Sequence, residues 1–152
     1  LPAAASSPYN KNTSLERAIE VEPKKKASRV LVIEDEPDIL ELIRETLSHE
    51  NYELLSALDG QTGWEMATTR QPDLILLDIM IPKLNGYEIC RRLKAQDKTA
   101  RIPVLMLTAF GQKREIEEGF KVKADDYIVK PFEPRKLQER VRWFLSAGRR
   151  ET

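Results

Sequence analysis

The sequence has little cysteine, no long apolar run and no excess of either charge, and each shortage closes off a class of protein. Cys90 is the one cysteine among 152 residues, so no disulfide can form within the chain, and neither an oxidising compartment nor a cysteine-based metal site is indicated. No apolar run approaches the ~20 residues that span a bilayer. Leu1-Pro2-Ala3-Ala4-Ala5 is too short for the core of a signal peptide. The expected location is the cytoplasm, with no membrane partner. Lys and Arg number 25 and Asp and Glu also 25, so the whole-chain field exerts no long-range pull on nucleic acid or anionic membrane, and partner choice falls to local patches. The length suits one compact α/β domain with a tail and leaves no room for a second sizeable domain. A first residue other than Met carries the expectation of a fragment or a processed chain.

Residues 1–27 are rich in Ala, Ser, Pro, Asn and Lys and show no sustained apolar period, which predicts a flexible tail or linker. Leu15 to Glu20 can form one helical turn, but an isolated helix below about 12 residues is marginal in water without a partner surface. Lys24-Lys25-Lys26 reads as a solvated run rather than a nucleic-acid site, since neither aromatic interleaving nor a recognition helix accompanies it.

From Arg29 onward short apolar runs alternate with helical-period segments, the pattern of βαβ units closing a parallel sheet. The expected strands are Val30–Ile33, Tyr52–Ala57, Leu74–Leu77, Val104–Leu107 and Tyr127–Val129. The intervening helices carry Ile39, Leu40, Ile43 and Leu47; then Trp64 and Ala67 within Gly60–Arg70; then Ile89, Cys90 and Leu93; then Ile116 and Phe120 within Gly111–Lys121. Leu137, Val141, Phe144 and Leu145 mark the last helix. Right-handed crossovers place these helices on both faces of a doubly wound, five-stranded parallel sheet, with the domain over 28–148 and a tail at 149–152. In such a sheet, loops at the carboxyl ends of the strands hold the site.

Four strands end in residues that packing does not require: Glu34-Asp35, Asp78, Thr108 and Lys130. Converging carboxylates repel, which a divalent cation relieves, and an all-oxygen ligand set favours Mg²⁺ or Mn²⁺ over zinc. Lys130 supplies a point charge for a transferred phosphoryl oxygen, and the Thr108 hydroxyl can donate to another. Each residue also has a plainer role open to it. Asp35 ahead of Glu36-Pro37 reads as a helix N-cap, Asp78 as a turn residue ahead of Pro82, Thr108 as an ordinary strand residue and Lys130 as a solvated lysine. Asn85-Gly86 supplies turn and cap chemistry for the third helix. The joint placement at successive strand ends favours function.

Val30-Leu31-Val32-Ile33-Glu34-Asp35-Glu36-Pro37-Asp38, Leu76-Leu77-Asp78-Ile79-Met80-Ile81-Pro82, Leu107-Thr108-Ala109 and Asp125-Asp126-Tyr127-Ile128-Val129-Lys130-Pro131-Phe132 resemble the receiver domain of two-component response regulators over about residues 28–147. The resemblance implies a flavodoxin-like fold and a phosphorelay switch rather than a turnover enzyme. By it, Asp78 is the phosphoacceptor, charged by a histidine kinase or phosphotransfer protein. The Asp35 and Asp78 side chains and the Met80 carbonyl would bind Mg²⁺, with Glu34 acting through water, and Thr108 and Tyr127 would be a switch pair. It also implies a cis bond between Lys130 and Pro131. The responding surface would be the fourth helix, fifth strand and last helix, through which many members form homodimers. That surface carries mixed charge at Lys113, Arg114, Glu117, Glu118, Lys121, Asp125, Asp126, Arg135, Arg140 and Arg142.

Lys123 stands where the family usually has Gly, so the turn into the fifth strand is expected not to use positive φ freely. Met80 and Phe110 place apolar bulk where attacking water would approach, which predicts slow self-dephosphorylation. An Asp-nucleophile phosphatase would need a second Asp where Met80 stands, and Glu34-Asp35-Glu36 would repel the phosphate of a nucleotide or flavin. A phosphorylation-independent interaction module usually lacks the acceptor, a metal carboxylate, Thr or Lys, and all are present. His49, near the end of the first helix, reads as a capping or exposed residue rather than a phosphotransfer histidine. The output is open: a stand-alone regulator, a regulator cut before its effector domain, or the receiver of a hybrid kinase.

Overall fold

In this computed structural model residues 26–109 and 123–150 are described, with side chains through 146. Residues 1–25 of the tail expected over 1–27, with its helical turn, and Phe110 and the helix expected over 111–121 lie outside the described residues. Five strands, β1 (Ser28–Ile33), β2 (Tyr52–Ala57), β3 (Leu74–Asp78), β4 (Val104–Ala109) and β5 (Asp126–Lys130), form one sheet. Its order is β2-β1-β3-β4-β5 and every pairing is parallel. The strand order reverses direction between β1 and β3, which opens a crevice at their carboxyl ends. The described helices are α1 (Pro37–Leu47), α2 (Gly60–Arg70), α3 (Gly86–Ala95) and α4 (Pro134–Arg150).

The apolar strands read as unbroken runs because both faces of the sheet are covered. Leu31 and Ile33, Ile75 and Leu77, and Val104 and Met106 pack beneath Ala67 of α2 and Ile89, Cys90 and Leu93 of α3. The alternate residues, Val30 and Val32, Leu74 and Leu76, Leu105 and Leu107, and Ile128, pack beneath Ile43 and Leu47 of α1 and Leu137, Val141 and Leu145 of α4. Trp64 and Phe144, expected to face inward, are partly buried against these two clusters. Gln138 Nε2 donates to the Thr46 carbonyl at 2.9 Å and ties α4 to α1. Asn85 caps α3 as its sequence suggests, its Oδ1 accepting from the Glu88 N–H at 3.0 Å. His49 is exposed just beyond α1.

Two expectations need correction. Asp35 is not the N-cap of α1: that position belongs to Glu36, whose side chain makes no capping bond, because Pro37 takes the first helical position and fixes the start there. Lys123 does adopt positive φ, at 63°. The turn is held from the next residues: the Asp125 Oδ2 accepts from the Val104 N–H at 2.7 Å and from Lys94 Nζ at 2.8 Å. This anchoring imposes on a lysine a conformation usually left to glycine.

Candidate functional site

The period of two along a strand explains which residues meet at the carboxyl edge. Val30 and Val32, Leu74 and Leu76, and Ile128 face α1 and α4. The next residue of the same parity is Glu34 on the first path, Asp78 on the second and Lys130 on the third. Register brings the rows level, with Val32 opposite Leu76. Lys130 Nζ accordingly lies 2.7 Å from Glu34 Oε1 and 3.2 Å from Asp78 Oδ2. Thr108 continues the opposite row, that of Val104 and Met106, and Tyr127 packs against the same cluster.

Burial sets the electrostatics. Glu34 is 0 % exposed, Asp78 4 % and Thr108 2 %. Loss of solvent pushes the Glu34 carboxyl up from 4.5 to about 7; Lys130 draws it down and Asp78 pushes it further up. Burial disfavours the Lys130 ammonium, but Glu34 and Asp78 outweigh this and hold it above its ordinary value. The Tyr127 phenol is pushed up to about 12, chiefly by burial.

Glu34, Asp35 and Asp78 each offer a carboxylate oxygen, and these lie within 4.8 Å of one another. One ammonium cannot balance three carboxylates, and an oxygen-only donor set fits a hard divalent cation. Thr108 Oγ1 is buried without a hydrogen-bond partner among the described residues, at the wall of the same cleft. An unsatisfied buried hydroxyl is costly, so it marks a place where an incoming acceptor would be welcomed. The cleft, of about 580 Å³, is otherwise walled by Ile39, Met80, Leu107 and Pro131. The Met80 N–H donates to Asp78 Oδ1 at 3.2 Å, while the residue is 75 % exposed. The Lys130–Pro131 bond is cis.

Sequence reasoning missed Glu36, whose Oε1 lies 3.8 Å from Lys130 Nζ and whose N–H donates to Glu34 Oε2 at 3.2 Å. The signal was its place in the acidic run after β1. It also gave Glu34 only a water-mediated role, whereas its carboxylate pairs directly with Lys130.

Residues 30–142 match the sequence model of the response regulator receiver domain. The chain is 45 % identical over 117 residues to the DNA-binding dual master transcriptional regulator RpaA of Synechocystis sp., covering 77 % of this chain and 48 % of that protein. It thus spans about half the length of the curated relatives it matches. Among solved structures it is similar to the signal receiver domain of a histidine kinase from Syntrophus aciditrophicus, with a TM-score of 0.75 and 31 % identity over 80 % of this chain and 92 % of that one. It is also similar to the receiver domain of the sensor histidine kinase PA1611 from Pseudomonas aeruginosa PAO1, solved with a magnesium ion in its active site cleft. There the TM-score is 0.74 and the identity 28 %, over 79 % of this chain and 98 % of that one. None of the described helices is long and apolar enough to cross a membrane. A parallel sheet in receiver order, an acidic cluster at its carboxyl edge and a family match over most of the chain lead to one assignment: this chain belongs to the receiver domains of two-component response regulators.

Proposed function

We propose that this domain is a phosphorelay switch in which Asp78 accepts a phosphoryl group from a phosphohistidine on a histidine kinase or phosphotransfer protein. The observation that carries the reading is the Lys130 ammonium bridging Glu34 and Asp78, beside the hydroxyl of Thr108, which has no hydrogen-bond partner among the described residues. Glu34, Asp35, Asp78 and the Met80 carbonyl would hold Mg²⁺, or Mn²⁺ in its place. When bound, the ion neutralises charge between the Asp78 carboxylate and the incoming phosphoryl group.

An ionised carboxylate is already a nucleophile, so the chain needs no separate base. An Asp78 oxygen forms the new O–P bond as the donor's N–P bond breaks, and the imidazole leaves, taking a proton from water. Lys130 pairs with a phosphoryl oxygen, and the Met80 N–H and Thr108 hydroxyl are placed to donate to others. Satisfying the Thr108 hydroxyl draws β4 toward Asp78, and Tyr127, already packed inward against the same cluster as Met106, adjusts with it. The face of β5 and α4, together with the helix expected over 111–121, changes in consequence, controlling an output domain or partner and serving as a homodimer contact. The domain acts on itself rather than turning over an external substrate, and it makes no direct nucleic-acid contact.

The test is intact-protein mass spectrometry after incubation with acetyl phosphate and Mg²⁺. A gain of one phosphoryl group, about 80 Da, is expected in the wild type and is lost with EDTA and in Asp78→Ala. No gain from acetyl phosphate and none from a phosphohistidine donor would refute the reading.

A further inference from the structure

We propose that Gly60, the first residue of α2, is a positioning residue for the loop that follows the phosphoacceptor, setting the direction of the Met80 carbonyl. This rests on the reading above that the Met80 carbonyl is a Mg²⁺ ligand. Met80 is 75 % exposed, so side-chain packing does not hold this residue. Its backbone is held from both sides instead. The Ile79 carbonyl accepts from the Gly86 N–H at 3.0 Å, and the Pro82 carbonyl accepts from the Gly60 N–H at 3.0 Å. Pro82 also takes the Leu84 N–H at 2.8 Å, which folds the far end of the loop tightly onto the same anchor. A second tie lies alongside, Lys83 Nζ standing 3.5 Å from Asp59 Oδ2, the residue that caps α2.

The anchor works because Gly60 has no side chain. A Cβ there would stand 1.9 Å from the Leu84 carbonyl oxygen and 2.7 Å from its carbonyl carbon. Both are backbone atoms, so relief requires the loop itself to move, by about 1 Å before the nearest contact is tolerable. Loss of a group that orients a metal ligand typically costs about 10–100-fold in affinity. Gly63 supplies an internal control on the same helix. A Cβ at Gly63 would meet the Ile33 side chain, 2.6 Å from its Cδ1, and not the loop.

The experiment is calorimetric Mg²⁺ titration of the full chain carrying Gly60→Ala or Gly63→Ala, with the wild type alongside. Gly60→Ala is expected to weaken Mg²⁺ binding at least tenfold and Gly63→Ala by less than twofold. A second measurement needs no variant: amide exchange at Gly60 in the wild type, with and without saturating Mg²⁺. Linkage is reciprocal, so an ion that depends on the loop's position must strengthen the Gly60–Pro82 bond, and exchange at Gly60 should slow about tenfold. Equal affinities in all three chains, an equal loss in both variants, or Gly60 exchange indifferent to Mg²⁺ overturns the proposal while leaving the site reading intact. A wild type that binds no Mg²⁺ overturns the site reading first and this proposal with it.

Discussion

Substituting Glu34 by Gln removes a carboxyl whose ionisation the fold opposes. Burial raises this group from 4.5 to about 7 in the folded, metal-free chain. A group raised on folding contributes stability that is fully present below its unfolded value and is lost as pH rises through its folded value. Stability in EDTA should therefore fall between about pH 4.5 and pH 7 and level off above. A shift of this size corresponds to about 3 kcal/mol in all. With a urea dependence of about 1–3 kcal/mol/M, the midpoint should drop by on the order of 1–3 M across the window. The assay is urea unfolding in EDTA at several pH values from 4.5 to 8, for the wild type and Glu34→Gln. The variant should lose most of the decline. Mg²⁺ at a hundred times its dissociation constant should restore about 2.7 kcal/mol to the wild type at pH 8. A wild type whose stability is flat across this range, or a variant that declines as steeply, would refute the reasoning.

Further outcomes follow from single residues. Lys123→Gly releases a left-handed backbone costing roughly 1–2 kcal/mol and gives back roughly 0.5–1 kcal/mol in chain entropy. The chain should gain about 1 kcal/mol, and a lower midpoint in thermal unfolding would contradict this. Cys90 is fully buried and its thiol is pushed up to about 11, chiefly by burial. At pH 8 iodoacetamide should label it on the order of a hundredfold more slowly in the native chain than in urea, read by mass spectrometry. Met80→Asn combined with Phe110→Glu should shorten the lifetime of the acyl phosphate, by opening the approach of water. Equal decay in variant and wild type would remove the case for shielding by these two side chains.

How much of this was legible in the sequence depended on how local the cause was. The sheet was, because short unbroken apolar runs such as Val30–Ile33 and Leu74–Leu77 alternate with helical-period segments, as strands of a doubly covered parallel sheet do. Both bounds of α2 were, since Asp59 caps its start, and Gln71, at φ 45°, ends it after Arg70. The strand-end cluster could be read because each member directly follows an apolar run. Nonlocal facts were not legible. The direct Glu34–Lys130 pair depends on how deeply the sheet edge is covered, which no local pattern reports. The positive φ at Lys123 is imposed by Asp125 reaching Val104 and Lys94, two elements away in sequence. The anchor at Gly60 joins α2 to a loop that sequence reading treats as a separate unit.

The two rows of the sheet have one more implication. Glu34, Asp78 and Lys130 continue the rows beneath α1 and α4, while Thr108 and Tyr127 belong with the layer beneath α2 and α3. The sheet is thus a partition along most of its length, and at its open carboxyl edge Asp78, Lys130 and Thr108 line one cleft. Behind that edge the two layers are joined by the main chain of the sheet, where Asp78 pairs with Leu107, Met106 with Tyr127 and Thr108 with Val129. A hydrogen-bonded ladder resists stretching, so a small pull at the edge is passed across it as movement of whole strand ends and not absorbed by side-chain repacking.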